Sequence, residues 1–440
     1  MRNPLGAALL ASLDLVPELW YRYGLRGVRF NRRVAQRVAP LGGSVDVEVM
    51  VENRKPLPLP WLEVGDEFPE GLVVLGRILA PSERIGRATL RLTLALAGYQ
   101  RLRRRYRLLA VERGVYHLGP TTLRARDSFG MATSQADVET QATLIVRPLV
   151  TSMERLNLPS VAPFGEHRSS TRLLDDPLRV SGIRDYAPGD EPRRIHWKAT
   201  ARAGALQSKI YDPSTRQALM IFLDLRVWTG QTATDAALSE LAICAAASVA
   251  TWAQAQRISV GICANAPALL AQPTDAHSSR PPTIRLAQAR RLLRLAPSAS
   301  ARQLAAILDG LGSLQTIQTT PMQAVLDREH TRLPLGATVV YIGADSALDA
   351  HLLAALRRTQ TSGHPVTLML TQTEAAADAP LPALTHLASH VIGGRALWQS
   401  LLGEALGTDL AQRLIHGAKP AFIELRQPAT AAAHEPERGR

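Results

Sequence analysis

The hydrophobic pattern of the chain changes once, near residue 217, and this change constrains the possible folds more than any other feature. Before it, apolar residues alternate with polar ones, as at Val45, Val47, Val49 and Val51, a spacing typical of antiparallel strands with one buried face. After it, short apolar runs alternate with helical segments, which predicts a mostly parallel sheet with helices on both faces. We therefore predict an α+β multidomain protein, with an N-terminal antiparallel β-sandwich followed by a doubly wound α/β domain.

The same patterns place the elements and the domain boundaries. In a sandwich over 40–148, alternation predicts strands at 44–53, 88–97, 105–112 and 121–126. In an α/β domain over 213–426, apolar runs predict strands at 218–225, 258–264, 337–342 and 366–371. Helical segments are predicted at 235–256, 301–311 and 347–361, and near Leu384 and Leu397. A chain of 440 residues, 46% of them hydrophobic, supplies a core for each of two domains.

The N-terminal 39 residues have the composition of a membrane-proximal helical segment. The apolar stretch 5–16 is shorter than the roughly 20 residues that span a bilayer, and it carries Asp14. Six arginines between residues 22 and 37 follow it, as on the cytoplasmic side of a membrane segment. We expect a truncated or peripheral anchor with the domains in the cytoplasm; a helix packed on the protein's own surface is the alternative. The tail, 427–440, has the composition of a disordered end.

Charge and cysteine content narrow the function classes. Lysine and arginine number 51 against 38 acidic residues, a formal net charge of +13, which favours an acidic partner or surface. Few aromatic residues accompany the arginines, so nucleic acid is not expected, although the basic clusters at 22–37 and 101–107 leave anionic-lipid or nucleic-acid binding as an alternative. Cys244 and Cys263 lie in apolar runs, so we predict that both are buried free thiols of a protein in a reducing compartment.

The central segment, 149–212, holds the most informative stretch. Residues 187–190 fit a type II turn, Asp190 could cap the helical turn that Glu191 and Pro192 begin, and Ile195 and Trp197 would anchor the segment. The charged residues around them could clamp the segment to the α/β domain through ion pairs, form an exposed docking patch, or do both. The candidate signature and partner-binding residues are Arg184, Asp185, Tyr186, Gly189, Asp190, Arg193, Arg194, Trp197, Lys198 and Arg202.

No catalytic motif is intact. The sequence contains no P-loop, no Gly-x-Ser-x-Gly elbow, no His-Glu-x-x-His pair and no zinc-type cysteine spacing. We therefore expect no enzymatic activity and assign no catalytic residue. The alternative is a hydrolase or metal-dependent enzyme in which Asp190, His196 and Asp224 converge in one pocket.

The motifs together resemble the DUF58 family of membrane-associated proteins. The residues that carry the resemblance are 182–198, 201–202, Leu206, 52–54, 57–61, 66–69, 112–120 and 127–130. The resemblance implies an N-terminal membrane hairpin, a β-sandwich and a C-terminal domain similar to von Willebrand factor A. It also implies a role as scaffold or adaptor for a MoxR-type AAA+ ATPase, with a transglutaminase-like membrane protein as a further partner. The short apolar start of this chain departs from the family pattern.

The A-domain resemblance implies a test for a metal. An A-type magnesium site needs Asp-x-Ser-x-Ser, which supplies oxygen ligands to a hard cation, but this chain reads Asp224-Leu-Arg226-Val-Trp228. Asp345, after a predicted strand, could share a cleft with Asp224 because both follow strand ends. We expect no cofactor, with Mg²⁺ at Asp224 and Asp345 as the alternative and an Asp224–Arg226 pair or a capping carboxylate as the ordinary interpretation.

Overall fold

The computed structural model describes ten stretches of the chain. They are residues 22–127, 132–140, 142–158, 180–188, 190–211, 217–226, 233–269, 292–315, 320–372 and 387–425. The predicted anchor at 5–16, the predicted helix near Leu384 and the predicted disordered tail at 427–440 lie outside these stretches.

Alternating polar and apolar residues form the strands of the N-terminal half. These strands are β1 (Val28–Val34), β2 (Val38–Pro40), β3 (Ser44–Asn53), β4 (Leu59–Pro69), β5 (Leu72–Val74), β6 (Ala80–Pro81), β7 (Arg87–Leu96), β8 (Arg101–Ala110), β9 (Gly114–Leu118), β10 (Thr121–Arg126), β11 (Thr133–Val138) and β12 (Ala142–Arg147). They form two facing sheets, ordered β1-β3-β8-β5 and β11-β10-β4-β7-β6, and a smaller sheet ordered β2-β12-β9. The chain therefore enters the sandwich at Val28, before the predicted boundary at residue 40, because β1 pairs along its own whole length with residues 47–53 of β3.

A buried ion pair joins the two facing sheets. Arg32 of β1 hydrogen-bonds the carboxylate of Asp66 on β4, and both side chains are 1% exposed. The hydroxyls of Tyr106 and Thr121 each donate to Asp66 at 2.9 Å, and the ring of Phe68 meets that of Tyr106 edge to face. Since a buried charge is tolerated only when it is paired and hydrogen-bonded, this network specifies how the sheets face each other.

The second half begins with a short hairpin and continues as an α/β domain. Its elements are β13 (Val180–Asp185), α1 (Trp197–Ala203), β14 (Gln207–Tyr211), β15 (Ala218–Leu223), α2 (Ala233–Ala255), β16 (Ser259–Pro267), β17 (Leu292–Ser298), α3 (Ala301–Gly312), α4 (Met322–Glu329), β18 (Thr338–Ala344), α5 (Ala350–Thr361), β19 (Val366–Thr371), β20 (Ala388–Gly393), α6 (Arg395–Leu406) and α7 (Thr408–Ile415). Short 3-10 turns lie at Glu154–Leu156, Pro192–Arg194, His330–Arg332, Asp345–Ala347 and Pro420–Phe422.

Six strands form the mixed sheet of this domain, in the order β17-β16-β15-β18-β19-β20. All pair in parallel except β17, which runs antiparallel to β16 at the edge. Alternate residues of β15 face opposite layers: Ile221 packs in the cluster that contains α2 and α3, and Phe222 in the cluster that contains α4 and α5. The predicted sheet with helices on both faces is therefore present, with one antiparallel edge.

The two halves share one core, which the prediction of two separate cores did not anticipate. Apolar residues of the sandwich and of the α2 face of the mixed sheet form a single cluster. Arg113, after β8, donates from Nε to both carboxylate oxygens of Glu240 on α2 at 2.9 and 2.8 Å. It also donates to the carbonyls of Leu311 and Leu314 at the end of α3, at 3.1 and 2.7 Å. The boundary near residue 148 therefore marks a change of architecture within one packed body.

Helix α2 is the central helix of that body. Over Ala236–Ala255, 20 residues with mean hydropathy 1.5, its length and composition would allow it to cross a membrane. In the structure 72% of that window is buried, and the helix packs on β15, β16 and β18, which is the position of a core helix. Cys244 on α2 and Cys263 on β16 are both buried free thiols, as the sequence predicted.

Candidate functional site

The signature segment folds as a hairpin with a short helix across it. Strands β13 and β14 pair antiparallel, with Asp185 opposite Gln207. The amide of Asp190 donates to the carbonyl of Ala187 at 3.0 Å, which closes the predicted turn between them; Gly189 lies outside the described residues. The hydroxyl of Tyr186 donates to the carbonyl of Asp190 at 3.2 Å. The described part of the signature segment therefore has a defined local structure.

Asp190 holds the turn and does not cap the helical turn after it, which corrects the prediction. Its carboxylate accepts from Arg184 at 2.6 Å and from the amide of Ala187 at 3.1 Å. The Arg184 guanidinium, and then the Ala187 amide, hold the pKa of Asp190 below its ordinary value. The 3-10 turn Pro192–Arg194 instead begins after Glu191, without a side-chain cap, because the Asp190 carboxylate is already engaged.

Ion pairs of the segment connect neighbours within it. Glu191 accepts from Arg193 at 2.7 Å and lies 3.7 Å from Arg194, and this pairing lowers the pKa of Glu191. Asp185 accepts from Gln207 at 2.6 Å. These contacts join residues within the segment itself.

Trp197 is exposed, and this corrects its predicted role as an apolar anchor. Its side chain is 69% exposed at the first position of α1, because the ring of His196 caps that helix by accepting from the amide of Ala199 at 3.1 Å. Lys198 and Arg202, one turn apart on α1, form no ion pair or hydrogen bond with described residues through their side chains. The hairpin therefore presents an exposed aromatic residue beside unpaired cations.

A second cluster lies at the carboxyl end of the mixed sheet, where open α/β folds bind ligands. Asp224, the residue after β15, is fully buried. Its Oδ1 accepts from the amide of Arg226 at 2.8 Å and from Nδ2 of Asn265 at 2.6 Å, and its Oδ2 accepts from the hydroxyl of Tyr341 at 3.0 Å. Burial raises the pKa of Asp224, and these donors oppose the rise.

The Arg226 guanidinium fills the crevice beside this carboxylate. Nη2 lies 3.6 Å from Asp224 Oδ2, and Nη1 donates to Asp349 at 2.8 Å. Nη2 also donates to the carbonyl of Ala347. The other oxygen of Asp349 accepts from the amide of Leu352 at 2.7 Å and caps α5. The Asp224–Arg226 pairing that the sequence suggested is present.

The residues present do not fit a magnesium site. Asp345 lies after β18, where it was predicted, and its carboxylate accepts from the adjacent amide of Ser346 at 2.6 Å. Asp224 already receives three hydrogen bonds, and a guanidinium lies where a cation would bind. Within the described stretches, no group of three or more His, Cys, Asp or Glu side chains is placed to hold a metal ion.

The structure does not assemble the alternative catalytic group. Asp190 contacts Arg184 in the hairpin, His196 caps α1, and Asp224 contacts Asn265 and Tyr341 at the sheet end. Among the described hydrogen bonds, none joins any two of the three proposed residues.

Sequence reasoning missed three residues of the crevice. Asn265 and Tyr341 lie inside the apolar strands β16 and β18, and Asp349 precedes α5. A polar residue late in an otherwise apolar parallel strand is the signal that could have identified the first two, because buried polar groups require partners.

The family assignment follows from comparison of the sequence with known proteins. Residues 182–326 match the sequence profile of the family described as "Protein of unknown function DUF58". The "Uncharacterized protein YeaD" of Bacillus subtilis strain 168 is 26% identical over 210 residues. Residues 182–326 of the chain therefore belong to the DUF58 family. The matched region contains most of the signature hairpin and the crevice residues Asp224, Arg226 and Asn265, whereas Tyr341 and Asp349 lie beyond it.

The curated relative and the solved structures each match only part of this chain. The YeaD alignment covers 46% of this chain and 49% of the relative, so the chain spans about half the length of that curated protein. Solved structures match 27% of this chain: a CARDB domain from Pyrococcus furiosus (11% identity, 91% of that domain, TM-score 0.18), and Spo0M, a sporulation control protein from Bacillus subtilis (8%, 49%, 0.17). TM-scores of this size assign neither a fold nor a function.

Proposed function

We propose that this DUF58 chain is a non-enzymatic, membrane-associated adaptor that binds a MoxR-type AAA+ ATPase through the signature hairpin and an A-like α/β domain. The observation that carries the proposal is the exposure of Trp197, 69%, on a hairpin whose remaining contacts hold its own shape. Tryptophan and arginine dominate the binding energy of protein interfaces. A tryptophan this exposed among the described residues is therefore available to a partner.

Charge supports an acidic partner surface for the hairpin. Lys198, Arg202 and Lys209 have no ion-pair partner among the described residues, while Arg184 is neutralised by Asp190. Unpaired cations around an aromatic anchor favour fast association with an acidic surface and fix its orientation. The identity of that surface as a MoxR-type ATPase, with a transglutaminase-like protein as a further partner, comes from the family resemblance.

The crevice at the sheet end supports a non-enzymatic role. Arg226, 17% exposed at its side chain, bridges Asp224 and Asp349 at the position where a substrate or cation would enter. The mixed sheet, with its antiparallel edge and helices on both faces, supports an A-like domain whose crevice is closed by its own arginine. A hydrolase at Asp190, His196 and Asp224 would need a rearrangement that brings these residues together.

Affinity purification from the chain's own host, with solubilised membranes and with or without ATP, tests the proposal. We expect recovery of a AAA+ ATPase by the wild-type chain and its loss with Trp197→Ala. Leu335→Ala is the matched control, since Leu335 is also exposed, 79%, in the loop before β18. Both variants should melt at the wild-type temperature. If the folded wild-type chain recovers no AAA+ ATPase, or if both variants lose it equally, the proposal is wrong.

A further inference from the structure

We propose that one end of the β-sandwich docks on the surface of an anionic phospholipid bilayer. This end, the basic tip, is formed by residues 22–27, 53–58 and 97–101. The inference deepens the membrane association in the proposed function and rests on it, but it does not depend on the ATPase partner. It names the surface of the chain that faces the bilayer and the headgroup charge that this surface recognises.

Hydrogen bonds hold the three loops of the basic tip together. The amide of Arg54 donates to the carbonyl of Gly27 at 2.8 Å, and the amide of Tyr99 donates to the carbonyl of Lys55 at 3.1 Å. The buried amide of Asn53 donates from Nδ2 to the carbonyls of Leu57 and Ala97 at 2.9 and 3.0 Å. The three loops therefore form one ordered surface, and the strands of the sandwich set the positions of its side chains.

Apolar and aromatic side chains project from all three loops. Tyr23 is 41% exposed, Leu57 37% and Tyr99 71%. Tyr99 adopts a left-handed backbone conformation with φ of 57°, which glycine or asparagine would adopt at less energetic cost. A tyrosine kept in such a conformation with its ring in solvent contributes nothing to the core. Tyrosine with leucine beside it is typical of residues that enter the interfacial layer of a membrane.

The charge of the basic tip matches an anionic surface. Its residues include five cations, Arg22, Arg26, Arg54, Lys55 and Arg101, and no acidic residue. Glu52, adjacent in β3, pairs with two of these arginines. Each basic residue close to an anionic bilayer contributes about 1 kcal/mol of binding free energy.

The position of the tip in the chain also favours a bilayer over a soluble protein. The basic tip begins at Arg22, and the sequence before it contains the apolar stretch 5–16 with Trp20 and Tyr21 after it. The opposite end of β7 carries the turn 82–86, where Ile85 is fully exposed beside the acidic Glu83. The basic tip, unlike this turn, combines exposed aromatic side chains with basic residues and contains no acidic residue.

Site-specific fluorescent labelling of the full chain tests the inference. Both native thiols are buried, and burial raises the pKa of each to about 12, so introduced cysteines can be labelled selectively. An environment-sensitive probe is attached at Tyr99→Cys or, as control, at Ile85→Cys. Phosphatidylcholine vesicles with and without phosphatidylglycerol are added, and flotation measures binding of the same samples. We expect a blue shift and quenching by brominated lipid at position 99 only, and stronger binding with phosphatidylglycerol.

Two further variants separate insertion from charge. Tyr99→Gly suits the left-handed conformation and should keep the wild-type melting temperature while weakening vesicle binding. Arg22→Gln with Arg26→Gln should reduce partitioning onto anionic vesicles about thirtyfold. The same replacement by glutamine of the exposed Arg302 and Arg357, on α3 and α5, should leave partitioning onto anionic vesicles unchanged.

Each outcome of these measurements decides the inference. If the chain floats but the probe at position 99 is silent, or if the probes at 99 and 85 respond equally, the docking surface is wrong while membrane association stands. If the chain does not float on either vesicle, both the inference and the membrane part of the proposed function are wrong. A response at position 99 to an acidic soluble protein but not to vesicles would reassign the tip to a protein partner.

Discussion

The Nη2 atom of Arg226 lies 3.6 Å from the buried carboxylate of Asp224, across the carboxyl end of the central strand of the mixed sheet. The chain thus supplies its own cation at the place where open α/β sheets receive ligands. The polar contacts of this crevice, and those at the junction between the halves, should therefore affect the stability of the chain.

Arg226→Met should lower the free energy of unfolding by about 2 to 3 kcal/mol, because it leaves Asp224 buried without its cation. Urea denaturation at neutral pH measures the change. Adding Asp224→Asn to the same chain should recover part of the loss, since the unpaired charge is then gone. A single variant as stable as the wild type would show that the pair contributes nothing.

Mg²⁺ should not change the melting temperature of the wild-type chain, and EDTA should not lower it. A bound ion would stabilise the folded state in proportion to the logarithm of its concentration, but the Asp224 oxygens are already engaged by Arg226, Asn265 and Tyr341. A melting temperature that rises steadily with Mg²⁺, and less with Ca²⁺, would contradict this reading of the crevice.

Arg113→Ala should destabilise the chain by about 3 kcal/mol and separate the unfolding of its halves. The guanidinium is 6% exposed and connects the sandwich to Glu240 and to the end of α3, so its removal leaves Glu240 without this partner and takes one donor from each of the carbonyls of Leu311 and Leu314. Calorimetry should show one transition in the wild type and a broadened or split transition in the variant. Arg113→Lys keeps the charge but not the fork of donors, and it should recover only part of the stability.

Stability in acid should depend on Asp349. The Leu352 amide, and then Arg226, hold the pKa of this carboxyl below its ordinary value of 3.8, so the unfolded chain takes up the proton at a higher pH than the folded one. The stability that this carboxylate contributes is therefore complete above the unfolded pKa and is lost as the pH falls through the folded pKa. Urea midpoints measured below pH 5 should fall more steeply for the wild type than for Asp349→Asn. Parallel curves would contradict the assignment.

The sequence predicted elements best where one pattern had one structural solution. The strands at 44–53, 121–126 and 366–371 form with the predicted bounds, because regular alternation or a pure apolar run with turn residues at both ends has little ambiguity. Strand β17 escaped prediction because Arg294 and Pro297 interrupt its pattern at the sheet edge, where pairing from one side suffices. Strand β1 was not predicted, because its arginine-rich sequence was interpreted as the flank of a membrane segment.

The candidate site was predicted in composition and not in geometry. Asp190, Arg184 and the Asp224–Arg226 pair were identified from residue type and spacing. Trp197 was predicted both to anchor the segment and to bind a partner, and its exposure contradicts the first of these roles. The contact of Arg113 with Glu240 joins residues 127 positions apart, and no local pattern encodes such a pairing.

The shared core has a mechanical consequence. Because the sandwich and the mixed sheet are joined through Arg113 and one apolar cluster, a force applied to the α/β half is transmitted to the sandwich through these contacts. If the proposed ATPase pulled on the α/β half, the far end of the sandwich would move together with it.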